Sequence, residues 1–427
     1  MAMLPIQVPD VRRRMLHGHF GLEKESLRVT PSGRMAHTKH PFPGDAHIVR
    51  DFCENQTEIN TPALGSAREA VASLEAFDAV LQRRLAEQSP QEYLWPFSNP
   101  ALLQNEEDIP VAQFFGELAG KTAYREYLSD RYGRYKMTLS GIHVNFSFDD
   151  DLIEAAFGAQ NQFTTAQAYR NQLYVELAEK AAAYGWLITA VTAASPLVDQ
   201  SFWEKGHGNS DEFCGMASVR CSELGYWNFF APVFDYTNLT RYADSIQRYV
   251  DDGLIRYATE LYYPIRLKPA GENRLDALRH GVNHIELRMV DLNPLAPAGI
   301  DVRDVEFIHL FLLWLASMPR MNLTPRDQVQ AVQNFKNAAH YDLKTVKIVM
   351  PSGRPAPVAD TALEVLRQLS DFYRELLPEA LPILDFETAK FTDPENRYAW
   401  IVRRAYSGGF VRKGLELARR RQEAAYV

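Results

Sequence analysis

The sequence predicts one mixed α/β unit with a helix-dominated tail from about Asp304 onward, and three observations lead there. Segments whose apolar residues recur every 3.6 residues or so are interspersed with segments that alternate apolar and polar residues strictly. Gly, Pro and Asn clusters such as Pro31-Ser-Gly33, Pro41-Phe-Pro-Gly44 and Gly206-His-Gly-Asn-Ser210 punctuate them. No internal repeat, low-complexity block or long Pro-rich or Ser-rich linker divides the chain. A single unit with an extension is therefore simpler than the roughly two or three domains that length alone suggests.

Taken in chain order, residues 21–29 alternate as a strand, which puts Glu23 and Glu25 on one face. In Asp51-Phe-Cys-Glu-Asn-Gln-Thr-Glu58 the two end acids have the wrong parity for one straight strand. Either the segment turns near Glu54-Asn55 or it is helical. Residues 67–87 read as a helix. Residues 137–148 read as a strand with Ile142, Val144, Phe146 and Phe148 on one face and His143, Asn145 and Ser147 on the other. Residues 167–192 read as a helix, and 284–292 as a strand that sets Ile285, Leu287 and Met289 against Glu286 and Arg288. Two further helices follow at 305–317 and 360–377. The apolar stretch 307–318 contains His309 and is too short to span a bilayer, so it reads as a buried helix. The basic stretch 403–421 reads as a solvated helix face.

Composition narrows the function classes. Of 427 residues, 46% are apolar and 23% charged, an ordinary globular balance, and the formal charge of −8 argues against a protein that coats nucleic acid. Only Cys53, Cys214 and Cys221 are present, with no CxxC spacing, which points to a reducing, cytoplasmic setting without a disulfide framework. The N-terminus lacks the apolar run of a secretory signal. Neither nucleic acid nor a membrane is expected as partner, and the sequence carries no signal for an oligomeric state.

The chemistry lies in the polar strand faces. A solvated sheet face would account for any one of them, but three strands far apart in sequence each carry acid, His or Arg residues suited to one site. Clustered carboxylates repel one another unless a cation sits between them. Hard oxygen ligands suit Mg²⁺ or Mn²⁺ better than Zn²⁺. Arg125, Arg220, Arg266, Lys268 and Arg288 supply the complementary positive charge. Carboxylates for a metal plus Arg and Lys for phosphate oxygens is the equipment of phosphoryl transfer, although no GxxxxGK[ST] loop is present.

Four segments in order are Gly21-Leu-Glu-Lys-Glu-Ser-Leu-Arg-Val29, Asp51-Phe-Cys-Glu54 with Glu58-Ile-Asn-Thr-Pro62, Ser140-Gly-Ile-His-Val-Asn-Phe-Ser147, and His284-Ile-Glu-Leu-Arg288 with Asp291-Leu-Asn-Pro294. Together they resemble the motifs of bacterial glutamate–cysteine ligase, with weaker echoes at Tyr124-Arg-Glu126, Arg131-Tyr-Gly133, Ala194-Ser-Pro196, 218–226 and 263–268. The resemblance covers roughly residues 18–320. It also extends to the ligase half of bifunctional glutathione synthetases, although no ATP-grasp module follows here, so only the first step is expected.

The resemblance implies an α+β fold of the glutamine-synthetase-like carboxylate–amine ligase type, a curved, largely antiparallel sheet with flanking helices. It implies a catalytic ligase domain at 1–320 and a helix-dominated extension at 321–427 packed on the same unit. By the same resemblance Glu23, Glu25, Asp51, Glu58, His143 and Glu286 form the metal shell, and Arg288, Arg266 and Lys268 serve ATP, with Arg288 and Glu23 catalytic. Arg220 holds the glutamate α-carboxylate, and Phe52, Tyr124, Tyr226 and Arg125 line the pocket for cysteine. The reaction implied joins the glutamate γ-carboxylate to the cysteine amine through γ-glutamyl phosphate, with ATP as co-substrate and Mg²⁺ or Mn²⁺ as metal, the first step of glutathione biosynthesis. A ligase with another amine acceptor and a non-catalytic relative are the alternatives. Residues 206–210 are a candidate lid or an ordinary loop, and Cys53 and Cys221 read as inert core residues.

Overall fold

The alternation first seen at Gly21 begins earlier, and the resulting strand β1 (Gly18–Val29) lies in the middle of the sheet. The structure is a computed structural model that describes residues 3–203 and 212–426; the candidate lid at 206–210 lies outside the described residues. The other strands are β2 (Ile48–Arg50), β3 (Gln56–Asn60), β4 (Tyr93–Leu94), β5 (Gly141–Phe148), β6 (Ile265–Lys268) and β7 (His284–Asp291). They join in the order β2-β3-β1-β5-β7-β6, with β4 paired to the end of β1. Every pairing is antiparallel, and the fold is the α+β type expected, a sheet with flanking helices.

Two elements depart from the sequence reading, and the structure decides a third that it left open. Residues 137–140 do not extend β5. A short 3-10 turn, Tyr135–Thr138, precedes it, with Met137 and Leu139 buried in a core cluster, so the apolar spacing there marks packing of an irregular segment. The single helix at 167–192 is two, Ala166–Tyr184 and Trp186–Thr192, meeting at Gly185. A Cβ at Gly185 would lie 2.9 Å from the Phe335 ring, so the missing side chain admits a neighbouring helix. The ambiguous segment 51–58 turns: the Gln56 amide donates to the Cys53 carbonyl at 3.0 Å before β3 begins.

The apolar face of the sheet (Phe20, Leu22, Ile142, Val144, Phe146, Leu287) packs against the helices Ala67–Ala86, Ala166–Tyr184 and Val302–Ala316 in one large cluster. Ser66 starts the first of these, its side chain accepting from the Glu69 amide. The third is buried along nearly its whole length, which explains the apolar run at 307–318. No helix among the described residues is long and apolar enough to cross a membrane.

The C-terminal helices are joined to both cores. Val332, Phe335, Val365 and Leu369 belong to the large cluster, while Val402, Phe410 and Ala418 close a second one around Trp95 and Phe97. Gly414 is required there, because a Cβ would lie 2.3 Å from the Trp95 ring. The basic stretch 403–421 is only partly a solvated face. Arg404, Arg412 and Arg419 are exposed, but Arg403 lies 3.6 Å from the centre of the Phe213 ring, and Arg421 donates to the Pro294 and Ala296 carbonyls.

Candidate active site

Antiparallel register brings the three polar faces together. Glu23 on β1 pairs with His143 on β5, Asn145 with Glu286 on β7, Arg266 with Glu286, and Glu25 with Glu58 on β3. Cross-strand partners share a face, so the carboxylates, His143, Arg266, Lys268 and Arg288 all lie on the face opposite the main core. A bulge in β5 between Ile142 and Val144 interrupts the ladder beside His143.

Glu23, His143 and Glu286 offer ligand atoms all within 4.8 Å of one another. His143 Nδ1 is 3.0 Å from Glu23 and 3.7 Å from Glu286, and its Nε2 is 3.5 Å from Glu25. Arg288 donates to Glu286 at 3.0 Å, and Lys268 Nζ lies 3.3 Å from the same carboxylate. Asn145 donates to Glu23 at 2.9 Å. Glu25, Asp51 and Glu58 form an adjacent patch instead of joining the tight trio.

Electrostatics separates the two patches. Burial pushes the Glu286 carboxyl up, but Arg288, Lys268 and His143 outweigh it and hold it far below the usual carboxylate range. Glu23 is lowered too, its bond to His143 overcoming burial. Burial raises Glu25, with Asp51 adding to the effect. Glu58 is raised well above normal by burial and by Asp51, Glu23 and Glu25. Glu25 and Glu58 therefore lie at an end of the face that holds less positive charge than its buried carboxylates need. Glu286 Oε2 and His143 Nε2 are buried and make no hydrogen bond within the protein. Buried carboxylates in mutual repulsion, with an orphaned oxygen and ring nitrogen, fit a hard divalent cation.

Beside this face is a cavity of about 200 Å³ lined by Glu25, Asp51, Phe52, Tyr124, Arg125, His143, Arg220, Tyr226 and Arg288. Residues expected at one site from six separate stretches thus meet round one space. A smaller recess of about 90 Å³ continues past Arg220, Tyr226 and Arg288 toward Cys221 and Phe335. Three arginines are less free than their expected roles suggest. Arg220 donates to the Arg288 carbonyl at 2.5 Å and the Val290 carbonyl at 3.3 Å, while Arg266 donates to the Thr259 and Leu261 carbonyls. Arg125 donates to the Asp51 carbonyl at 2.5 Å.

Sequence reasoning missed Tyr262, whose ring centroid lies 3.8 Å from that of Tyr226 and which lines both spaces, as well as Lys136 and Gly141. The position of Tyr262 just ahead of the Tyr263-Pro-Ile-Arg-Leu-Lys268 motif was the available signal. The Gly141 amide donates to Glu25 at 3.0 Å, and a Cβ at Gly141 would lie 2.3 Å from the Arg220 guanidinium carbon. Its bare Cα leaves the room that the Arg220 head group occupies. Cys53 and Cys221 are buried free thiols, both raised by burial, Cys221 to about 11, as inert residues should be.

The family model for glutamate–cysteine ligase matches residues 6–259 and 229–338. A glutathione biosynthesis bifunctional protein of Listeria monocytogenes is 35% identical over 408 residues, covering 92% of this chain and 52% of the relative. One from Pasteurella multocida is 32% identical over 420 residues, covering 96% and 53%. The chain thus spans about half the length of the curated relatives it matches. The crystal structure of a bifunctional glutathione synthetase from Pasteurella multocida superposes with a TM-score of 0.85 at 29% identity, over 100% of this chain and 55% of that one. A glutamate–cysteine ligase from Francisella tularensis, solved with AMP, has the same fold: TM-score 0.85, 24% identity, 96% of this chain and 89% of that one. Similarity in structure therefore continues past residue 320, where the sequence motifs end.

Proposed function

The chain belongs to the glutamate–cysteine ligase family, and from that premise we propose that it joins the γ-carboxylate of glutamate to the amine of cysteine at the expense of ATP. The observation that carries this reading is that His143 and Arg288, which contact Glu23 and Glu286, line one cavity together with Arg220, Tyr124 and Tyr226. We assign the metal to Mg²⁺ or Mn²⁺, with Glu23, Glu25, Asp51, Glu58, His143 and Glu286 as the residues that would hold it. When bound, the metal would offset negative charge on the nucleotide phosphates.

Arg288 is half-buried and its charge is reinforced by Glu286, Glu25 and Glu23, so it stays cationic through the reaction. It is suited to stabilise the phosphoryl group as the glutamate γ-carboxylate attacks and γ-glutamyl phosphate and ADP form. Arg266 and Lys268, on the strand next to β7, complete the positive edge for the nucleotide. Arg220 suits the glutamate α-carboxylate, because a planar guanidinium can pair with it and leave the γ-carboxylate free to react. The amine of cysteine then attacks the acyl phosphate and expels phosphate, its side chain lodged among Phe52, Tyr124, Tyr226 and Arg125. The aromatic walls of that end exclude water, which would otherwise hydrolyse the intermediate.

The same aromatic pocket could admit another small amine, which keeps a related acceptor as a second reading. The three unpaired thiols support a cytoplasmic setting, and the reading places glutathione biosynthesis as the pathway. We assign catalysis to 1–320 and support to 321–427. Incubation with ATP, Mg²⁺, glutamate and a panel of amines, following ADP release and product mass, tests the assignment. Cysteine-dependent ADP and γ-glutamylcysteine are expected. ADP without amine, or none with cysteine, overturns the cysteine reading, and a higher specificity constant for 2-aminobutyrate than for cysteine moves it to the alternative acceptor.

A further inference from the structure

Part of the wall of the larger cavity comes from three segments outside the sheet: the helix Ala119–Tyr132, residues 258–262 and the loop 222–230. Tyr124, Arg125 and Leu128 belong to the first, Thr259 and Tyr262 to the second, and Tyr226 to the third. Of the 14 residues in that helix Leu128 alone is buried, so apolar packing holds it weakly. A polar cluster behind the cavity holds it instead. Glu260, fully buried, accepts from the Tyr127 hydroxyl at 3.0 Å and the Tyr132 hydroxyl at 2.8 Å, and Arg131 Nε lies 3.0 Å from the same carboxylate. These three side chains all come from the helix, and the Arg256 amide adds a further donor at 2.6 Å.

Asn228 ties the loop to the same cluster. Its side chain donates to the Tyr132 hydroxyl at 3.1 Å and to the Glu260 carbonyl at 3.0 Å, and accepts from the Tyr262 amide at 2.7 Å. The Tyr132 ring meets Tyr226 and Tyr262 edge-on, with centroids 5.2 and 5.5 Å away. Burial and the bond to Glu260 push the Tyr132 hydroxyl up to about 12, so it stays a donor. None of Tyr127, Arg131, Tyr132, Asn228 or Glu260 lines the cavity itself. A buried carboxylate is stable only when its donors satisfy it together, and here those donors sit on the elements that carry the wall. Loosening the cluster therefore shifts Tyr124 and Arg125 relative to Tyr226 and Tyr262, while Glu23, Glu286 and Arg288 stay fixed on the sheet.

We propose that Glu260 is a positioning residue for the amine acceptor: by holding three side chains of the helix Ala119–Tyr132 it sets the spacing between Tyr124 and Arg125 on one wall and Tyr226 and Tyr262 on the other. This rests on the ligase reading of the cavity and adds to it a residue that touches no substrate.

Steady-state kinetics of Glu260→Gln and Tyr132→Phe, with the amine that the wild-type chain uses best, test the proposal. Gln keeps the shape of Glu260, but whichever way its amide turns, the NH2 faces a donor, from Tyr132 and Arg131 on one side or from Arg256 on the other. KM for the amine should rise about tenfold in Glu260→Gln and about threefold in Tyr132→Phe, with KM for glutamate changed by less than about twofold. Glutamate is the insulated control, because Arg220 is held by carbonyls of β7, whereas Arg266 bonds to the Thr259 and Leu261 carbonyls. A loss of folded protein alone would lower the apparent kcat and leave both KM values unchanged, so the split separates positioning from stability. Should Glu260→Gln fail to fold, the outcome rests on Tyr132→Phe, which keeps the ring. An amine KM unchanged in the folded variants, or equal rises for amine and glutamate, overturns this inference and leaves the ligase reading standing. A wild-type chain that turns over no amine overturns the ligase reading and this inference with it.

Discussion

The two faces of β1 treat charge in opposite ways. On the core face, Lys24 is paired with Asp78, and the fully buried Arg28 donates to Glu92 at 2.7 Å, to Thr38, and to the Glu54 carbonyl at 2.8 Å. Each buried cation there meets one acid. On the other face, a residue away, Glu23 and Glu25 meet more acids, with Glu58 and Asp51 crowding the same end and two buried ligand atoms left idle. Matched charge serves the fold, because an unpaired buried ion is expensive. Unmatched charge that the fold tolerates is a place prepared for a ligand that brings the missing charge.

Substitutions can break this contrast, the largest effect first. Arg288→Ala should lower kcat/KM by about three orders of magnitude, near 4 kcal/mol of transition-state stabilisation, with the far-ultraviolet spectrum unchanged. Glu23→Gln should behave similarly, and retained turnover in both would sink the site assignment. On the core face, Glu92→Gln leaves Arg28 buried with its charge uncompensated. Chemical denaturation should show a loss of about 3 kcal/mol while the folded fraction keeps normal turnover. A large activity loss without destabilisation would mean that the core face also serves catalysis.

The contrast extends to pH. His309 lies on the core side between Phe20 and Phe146, with ring centroids 5.2 and 5.0 Å away, and burial pushes it down to about 4. The unfolded chain then binds a proton that the folded one refuses, so stability falls as pH drops from about 6.5 toward 4. His309→Leu should remove acid sensitivity on the order of 2 kcal/mol by pH 4.5, read from denaturation at pH 7 and pH 4.5. Identical pH profiles would show that this His is protonated in the fold. The smallest effect is expected at Gly141, where Ala would push the Arg220 guanidinium aside. KM for glutamate should rise about tenfold, with KM for ATP little changed. In an Arg220→Ala background the same substitution should add nothing.

Much of the site was legible because the side-chain period of a strand is two. Parity alone put Glu23 with Glu25, His143 with Asn145, and Glu286 with Arg288. At Asp51 and Glu58 parity excluded a straight strand but left a turn and a helix open, and the structure shows the turn. Parity misread 137–140, because apolar residues can satisfy a core from a 3-10 turn as well as from a strand. The helix break at Gly185 was invisible in the local pattern, and so was the close approach of the Phe335 ring, far along the chain.

By itself the sequence determined which residues share a strand face, that the chain carries a surplus of acids, and the family whose motifs it resembles. These follow from local geometry and composition. Only the tertiary structure decided which faces meet, through the antiparallel register that sets Glu23 opposite His143 and Asn145 opposite Glu286. It also decided that Lys24 and Arg28 are neutralised by Asp78 and Glu92, whereas Glu25 and Glu58 on the opposite face crowd one another. Charge balance in a buried site depends on distances of a few ångströms between residues remote in sequence, and no local pattern contains those distances.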